Sequence, residues 1–197
     1  MFQPKLGVAL KVLTHNLTDE WMEALSASRI ETLELTPFLF DPDRLPTNRA
    51  YLKDLLRRTG MTVASIHARS GEDYDFSSLD ESVRRRAVAD LAESIELAVE
   101  FDAPIVVFHT GAEPVSADER AGRIDQARKS YAELGRMCRK AGRKAAVELL
   151  PRTCLGNTVE EIFRLIDGLD EETFGVCLDV NHLMDRYRSI RWLTSRH

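Results

Sequence analysis

The segment "AAVELLPRTCLGNTVEEIFRLIDGLDEETFGVCLDV", residues 145–180, places a helical pattern between two short apolar runs. The runs "AAVELL" and "FGVCLDV" have the length and apolar content of buried strands. Between them, "TVEE" at Thr158 to Glu161 is a capping-box pattern and predicts where the helix begins. A strand, a helix and a second strand in this order predict two parallel strands joined by a right-handed crossover.

The same unit repeats toward the N-terminus. Four more short apolar runs predict strands: "LGVALKV" from Leu6, "ETLELT" from Glu31, "TVASIHA" from Thr62 and "PIVVFHT" from Pro104. Two connectors carry apolar stripes at helical spacing: Val83, Ala87, Leu91, Ile95 and Val99, and then Ile124, Ala127, Tyr131 and Leu134. "SLDE" from Ser78 predicts a second helix start, and Gly60 and Gly142 predict helix ends. Six such units predict an α/β protein with a parallel sheet.

Composition limits the class of protein. The 197 residues are 44% hydrophobic, which suits one domain over residues 1–197. A net charge of -5 argues against general nucleic-acid binding, because phosphate contacts need a basic face. The three cysteines lack C-x-x-C spacing, which favours reduced thiols and a cytoplasmic location, with Cys177 expected in the core. No run approaches the ~20 apolar residues that span a bilayer, so no membrane association is expected.

Metal-binding side chains follow several of the predicted strands. His67, His109, Glu148 and Asp179 lie at or near the C-terminal ends of strands 3, 4, 5 and 6, with His182 close behind. Parallel strands end at one edge of the sheet, where α/β proteins place their ligand sites. Neighbouring strands are ~4.8 Å apart, so Glu148 and Asp179 can reach one ion. The alternative is that Asp179 and Asn181 are turn formers that end the strand.

On these residues, the chain resembles the sugar phosphate isomerase/epimerase family of xylose isomerase-like TIM barrels, which shares a superfamily with the type IV apurinic endonucleases. The resemblance is most specific over "AVELLPRTCLGNTVEEIFRLIDGL" and "FGVCLDVNHLM". It implies that Glu148 and Asp179 bind a divalent ion, which could be manganese, magnesium, cobalt or zinc. It further implies that His182 is a metal or substrate ligand.

The resemblance also assigns residues to the substrate pocket. His67 and His109 would line it, and in the endonucleases the matching histidines bind additional zinc. Glu34, in "ETLEL", resembles an acidic residue of strand 2 that faces the same pocket. The alternative for Glu34 is an exposed or salt-bridged acid at a strand end.

A complete barrel of this family has a metal-binding histidine on strand 7 and a glutamate on strand 8. We therefore expect an incomplete TIM barrel of about six βα units instead of eight, with "DRYRSIRWLTSRH" from Asp185 forming at most one short amphipathic helix. An open sheet leaves unpaired edges, backed here by Val8, Leu10, Val176 and Leu178. The sequence therefore predicts a homo-oligomer that covers the open side of the barrel.

The expected function is metal-dependent isomerisation or epimerisation of a small-molecule sugar or sugar phosphate, with Glu148 as the candidate base. The missing strands leave activity of the isolated chain in doubt. Three alternatives stay open: a metal dehydratase acting on a cyclic polyol, a non-catalytic or truncated barrel module, and an apurinic endonuclease-like metal phosphodiesterase. The acidic balance weighs against the last of these.

Overall fold

A computed structural model describes residues 3–182, in which strands and helices alternate. The strands are β1 (Gly7–Ala9), β2 (Thr32–Leu35), β3 (Thr62–His67), β4 (Ile105–Phe108), β5 (Lys144–Glu148) and β6 (Phe174–Cys177). The helices are α1 (Leu10–Leu13), α2 (Asp19–Ala27), α3 (Asn48–Thr59), α4 (Glu81–Glu100), α5 (Arg120–Lys140) and α6 (Val159–Ile166), and 3-10 turns form at Pro37–Phe40 and Glu72–Tyr74.

The six strands form one parallel sheet in chain order, from β1 to β6. The register pairs Ala9 with Glu34 and Glu148 with Cys177, so the C-terminal ends of neighbouring strands lie side by side. This confirms the predicted α/β fold with six parallel strands. Among the residues described, β1 pairs only with β2 and β6 only with β5.

Most helix boundaries lie where the sequence predicts them. Thr158 caps α6 by accepting a hydrogen bond from the backbone N–H of Glu161 at 3.0 Å. Gly60 ends α3 in the left-handed conformation with φ 71°, which a residue with a side chain rarely adopts. The predicted start of α4 is wrong by two residues, because Asp80 and not Ser78 is the cap. The carboxylate of Asp80 accepts from the N–H groups of Ser82 and Val83.

The first predicted strand is too long. "LGVALKV" runs to Val12, but β1 stops at Ala9 and Leu10–Leu13 form a helical turn closed by a 2.9 Å bond from the Thr14 N–H to the Leu10 carbonyl. Within the described chain β1 has a single neighbour, so a longer strand would gain few ladder bonds. Leu10 turns fully into the core and is therefore not part of an exposed edge, which corrects its predicted role.

The core lies between the sheet and the helices. All four stripe residues of α5 are buried, as predicted. The α4 stripe is correct in its middle but wrong at its ends, where Val83 is half-buried and Val99 is 49% exposed. Residues spaced strictly by four drift around a helix of 3.6 residues per turn, so the ends of such a stripe leave the core face. None of the described helices is long and apolar enough to span a membrane.

Candidate metal centre at the strand ends

Five predicted site residues meet at the C-terminal edge of the sheet. His67 and Glu148 are the last residues of β3 and β5, and His109 directly follows β4. Asp179 and His182 lie on the segment after β6. The parallel register aligns these strand ends, so residues far apart in the chain become neighbours.

Glu148 lies at the centre of this group and is only 4% exposed. Its Oε2 is 3.1 Å from Nε2 of His67 and 3.2 Å from Nε2 of His109. Its Oε1 is 3.4 Å from Nδ1 of His182. Burial alone would raise the pKa of Glu148, but the imidazoles of His109 and His67 outweigh burial and lower the pKa to about 2. The carboxylate is therefore ionised at neutral pH.

The orientation of His67 bears on what it can bind. Its Nδ1 is 2.9 Å from the Ala68 carbonyl oxygen, which only accepts hydrogen bonds, so Nδ1 carries a proton. In the neutral ring, Nε2 then presents a lone pair to the ionised Glu148. Two lone pairs repel each other, so Nε2 of His67 and the Glu148 carboxylate can stay this close only with a proton or a cation between them. Burial lowers the pKa of His67, but the Glu148 hydrogen bond and the bond to Ala68 outweigh burial and raise it.

His182 repeats this arrangement on the other side of Glu148. Its Nδ1 is 2.9 Å from the Leu149 carbonyl oxygen, and its Nε2 is 3.5 Å from Oδ2 of Asp179. The other carboxylate oxygen of Asp179, Oδ1, accepts a 2.7 Å hydrogen bond from the backbone N–H of Asn181. Asp179 is thus a turn former, as the alternative proposed, and its free oxygen also faces the histidine.

Among the described residues, two overlapping trios of side chains could hold a metal ion. The first consists of His67, His109 and Glu148, and the second of Glu148, Asp179 and His182. Within each trio the ligand atoms lie within 4.8 Å of one another. Imidazole nitrogens and carboxylate oxygens are ligands that several divalent ions accept. A backbone carbonyl that fixes the ring is also the usual support of a metal-binding histidine, so the residues present fit such an ion.

Glu34 occupies a different position on the same edge. It is a half-buried residue of β2, and Oε2 accepts a 2.7 Å hydrogen bond from Oγ of Ser65. It lines a cavity of 310 Å³ that His67 also lines. The alternative for Glu34, an exposed or salt-bridged acid, is wrong. The side chain is half-buried, and it forms no ion pair with the described residues.

Cys177 differs from its prediction. The thiol was expected in the core, but the residue is only half-buried. It lies on β6, which within the described residues is the edge strand of the sheet. Burial raises its pKa to about 11, with further contributions from the negative charges of Glu148, Glu34 and Asp179. The thiol is therefore protonated at neutral pH.

Arg120 supports the site without being recognised in the sequence. Its guanidinium donates hydrogen bonds to both carboxylate oxygens of Glu161, at 2.7 and 2.6 Å. It also donates to the backbone carbonyl oxygens of Thr153 and Cys154, at 3.0 and 2.7 Å. These bonds hold the loop that follows Glu148 against helix α5. No local motif marks this role, because the partners are more than thirty positions away.

Known proteins resemble this chain over most of its length. A model of the xylose isomerase-like TIM barrel family matches residues 22–193. An uncharacterized protein of Methanocaldococcus jannaschii is 29% identical over an alignment of 186 residues. The match covers 90% of this chain and 61% of the relative. The chain therefore spans about three fifths of the length of that relative.

Solved structures show the same fold. A D-tagatose 3-epimerase-like protein is 25% identical, with a TM-score of 0.77, and the match covers 91% of this chain and 66% of that chain. D-psicose 3-epimerase from Clostridium cellulolyticum, solved with D-tagatose, is 19% identical, with a TM-score of 0.75 and coverage of 92% and 65%. An L-ribulose 3-epimerase is 20% identical, with a TM-score of 0.73 and coverage of 92% and 62%.

Proposed function

Because this chain belongs to the xylose isomerase-like TIM barrel family, we propose that it acts as a divalent-metal-dependent isomerase or epimerase of a small sugar. The observation that carries the proposal is the convergence of Glu148, Asp179 and His182, whose ligand atoms lie within 4.8 Å of one another at the edge of the sheet. The names of the similar structures, which are 3-epimerases of ketoses, favour a ketose as the substrate.

The proposed roles follow from the contacts of each side chain. Glu148 and Asp179 would hold the ion through carboxylate oxygens, and His182 would join them through Nε2. When bound, such an ion supplies a Lewis acid that lowers the barrier to removing the proton next to a sugar carbonyl. His67 and His109 would line the substrate side of Glu148.

Glu148 is also the proposed base, and here its environment weighs in two directions. A buried, ionised carboxylate can accept a proton from carbon. A pKa of about 2 nevertheless makes it a weak base at neutral pH, since efficient bases have pKa values near the working pH. The contacts therefore support the ligand role of Glu148 more strongly than the role of base.

The test has two readouts. Metal-stripped protein is titrated with Mn²⁺ in a calorimeter, and the loaded protein is incubated with D-tagatose or D-fructose in D₂O. We expect saturable metal binding and, by proton NMR, deuterium at a carbon next to the ketose carbonyl. Exchange reports proton removal even when net epimerisation is slow. Failure to bind a divalent ion would refute the proposal and favour the non-catalytic module.

A metal phosphodiesterase is a second candidate, supported by one specific observation. His67 and His109 both contact Oε2 of Glu148, so these three residues form a trio of possible ligands beside the trio of Glu148, Asp179 and His182. Neighbouring metal ions that share a carboxylate suit phosphodiester cleavage. Incubation of the Zn²⁺-loaded protein with a duplex containing an abasic site separates the two candidates, because a phosphodiesterase would hydrolyse the backbone at the site and a sugar epimerase would not.

A further inference from the structure

The segment that follows β4 is held in place from two sides. Thr110 is 1% exposed, and its hydroxyl oxygen lies 2.7 Å from the hydroxyl oxygen of Tyr131 on α5. Further along the segment, the backbone N–H of Ala112 donates a 3.2 Å hydrogen bond to Oδ1 of Asp75, which lies in the loop after β3. His109 directly precedes this anchored segment, so contacts outside the candidate metal centre fix the backbone that carries its imidazole.

Asp75 is the centre of the second of these anchors. It is 7% exposed, and its Oδ1 also accepts hydrogen bonds from the backbone N–H and the hydroxyl of Ser77, at 3.1 and 2.7 Å. Its Oδ2 accepts a 2.7 Å hydrogen bond from the guanidinium of Arg123 on α5. Burying a carboxylate is costly unless such bonds and an opposite charge compensate. Asp75 thus ties together the loop after β3, the loop after β4 and helix α5.

Gly111 shows how closely the two loops approach each other. It adopts φ 77°, a conformation that favours glycine, and a Cβ atom there would lie 2.7 Å from both Oδ1 of Asp75 and Cβ of Ser77. The loop after β4 therefore has no room to move toward Asp75, and the hydrogen bond from Ala112 opposes movement away from it.

His109 depends on this anchoring more than the other two imidazoles of the site do. His67 and His182 each have Nδ1 at 2.9 Å from a backbone carbonyl oxygen, which fixes the ring. Among the described residues no carbonyl holds the ring of His109, whose Nε2 lies 3.2 Å from Oε2 of Glu148 and whose centroid is 4.9 Å from that of His67. A ring without a carbonyl support takes its direction from the backbone that carries it.

We infer that Asp75 is a positioning residue that aims the His109 imidazole at Glu148 through the backbone of residues 110–112. The inference rests on the proposed function, because it concerns a histidine of that site, and it adds a residue that acts through His109 and not on the ion. The hydrogen bonds of Asp75 go to Ser77, Ala112 and Arg123. Loss of a support behind a metal ligand typically weakens metal binding by about 10–100-fold.

The test follows the binding of one Zn²⁺ ion, because zinc accepts imidazole nitrogens as ligands. Zn²⁺ is titrated by calorimetry into metal-free wild-type protein and into His109→Ala, and the binding event that His109→Ala weakens identifies the ion that His109 holds. Its dissociation constant is then measured in Asp75→Ala and in the double variant of Asp75→Ala with His109→Ala. As a second readout, a proton–nitrogen NMR correlation spectrum of the histidine rings is recorded on the metal-free proteins.

We expect Asp75→Ala to weaken this binding event about tenfold and to have no further effect in the His109→Ala background, because both changes act on the same ligand. The ring signals of His109 should shift in Asp75→Ala, whereas those of His182 should stay in place. Asp75→Asn keeps an oxygen that can accept from the Ala112 N–H, so it should restore most of the affinity.

Asn48→Ala is the matched control for a general loss of stability. Asn48 is 1% exposed and also forms hydrogen bonds with loop backbone, but in the segments that follow β1 and β2. It should lower the free energy of unfolding without changing the Zn²⁺ affinity or the His109 signals. Circular dichroism confirms that each variant is folded. If Asp75→Ala does not fold, Gly111→Ala takes its place with the same expected result, because the added methyl group pushes the same loop away from Asp75.

Several results would overturn the inference. These are unchanged Zn²⁺ affinity or unchanged His109 signals in Asp75→Ala, an equal loss in Asn48→Ala, an additive loss in the double variant, or the absence of any binding event that His109→Ala weakens. Failure of the proposed function is a different result. In that case the Zn²⁺ affinities and ring signals follow the predicted pattern, but no deuterium enters next to the carbonyl of a ketose.

Discussion

A single buried carboxylate organises the candidate site. Glu148 is 4% exposed, and three imidazoles, of His67, His109 and His182, approach its two oxygens within 3.4 Å. Burying an ionised carboxylate is costly unless opposite charge or hydrogen bonds compensate. At this position, a metal ion or protons on the histidines would compensate for the buried negative charge of Glu148.

Glu148→Gln should weaken Mn²⁺ binding by more than about 100-fold, because it removes the charged ligand that both trios share. Turnover of a ketose should be lost and the fold retained. Calorimetric titration measures the affinity, and circular dichroism measures the fold. Glu160→Gln, an exposed change on α6, is the matched control and should leave affinity unchanged. Equal affinity in both variants would exclude Glu148 as a ligand.

Arg120 offers a second prediction at the same scale. Arg120→Met removes its bonds to Glu161 and to two carbonyl groups, and leaves a 7% exposed glutamate without its cation. We expect a loss of about 2–3 kcal/mol in the free energy of unfolding, measured by urea denaturation. Arg136→Met, at an exposed position of α5, should cost less than about 0.5 kcal/mol. Similar losses in both variants would contradict the loop-clamping role.

Among the elements, α5 and β6 approach each other where Gly135 lies beside the ring of Phe174. A Cβ atom at Gly135 would lie 2.6 Å from Cζ of Phe174, the first residue of β6. Gly135 is buried within α5, where alanine would otherwise be the better helix former by about 1 kcal/mol. The ring of Phe174 therefore occupies the space that a side chain at position 135 would fill.

Gly135→Ala should consequently destabilise the protein by about 1–3 kcal/mol despite its gain in helix propensity, because the methyl group overpacks the interface. The double variant Gly135→Ala with Phe174→Leu should recover part of this loss, since the smaller side chain makes room. Urea unfolding of the single and double variants gives the coupling free energy. A stabilised single variant would show that helix propensity outweighs the clash.

At the scale of the whole molecule, the β6 edge of the sheet is apolar and exposed. Val176, Leu178 and Val180 are 47%, 59% and 63% exposed, and within the described part of the chain β6 has no neighbour beyond β5. An apolar strand edge is a template for association. The homo-oligomer predicted from the sequence therefore stays a prediction, and the exposed edge of β6 is the surface that supports it. The helix predicted from Asp185 lies outside the described residues.

We expect light scattering at micromolar concentration to show a dimer or a higher oligomer. Val176→Lys should shift the protein toward monomer, because it places a charge on the edge strand. Val99→Lys is the matched control, since Val99 is 49% exposed on α4, and it should leave the mass unchanged. A wild-type monomer would contradict this prediction.

The sequence by itself determined the alternation of strands and helices, the cap at Thr158 and the placing of Glu148 and Asp179 at strand ends. These features depend on apolar period and on residues a few positions apart, which a chain displays locally. Where β1 ends was not predictable in the same way, because Leu10 enters the core by starting a helical turn, and its burial depends on neighbours from other elements.

Only the tertiary structure decided that His67, His109 and His182 converge on one carboxylate and that Arg120 holds the loop after Glu148. His67 at the end of β3 and His109 just after β4 lie far from Glu148 in the chain, and the parallel pairing of the strands brings them beside it. Burial and the direction of an imidazole nitrogen likewise depend on neighbours from other elements. Such contacts leave no periodic trace in the sequence, so the sequence supplied the ligand types and the fold supplied the site.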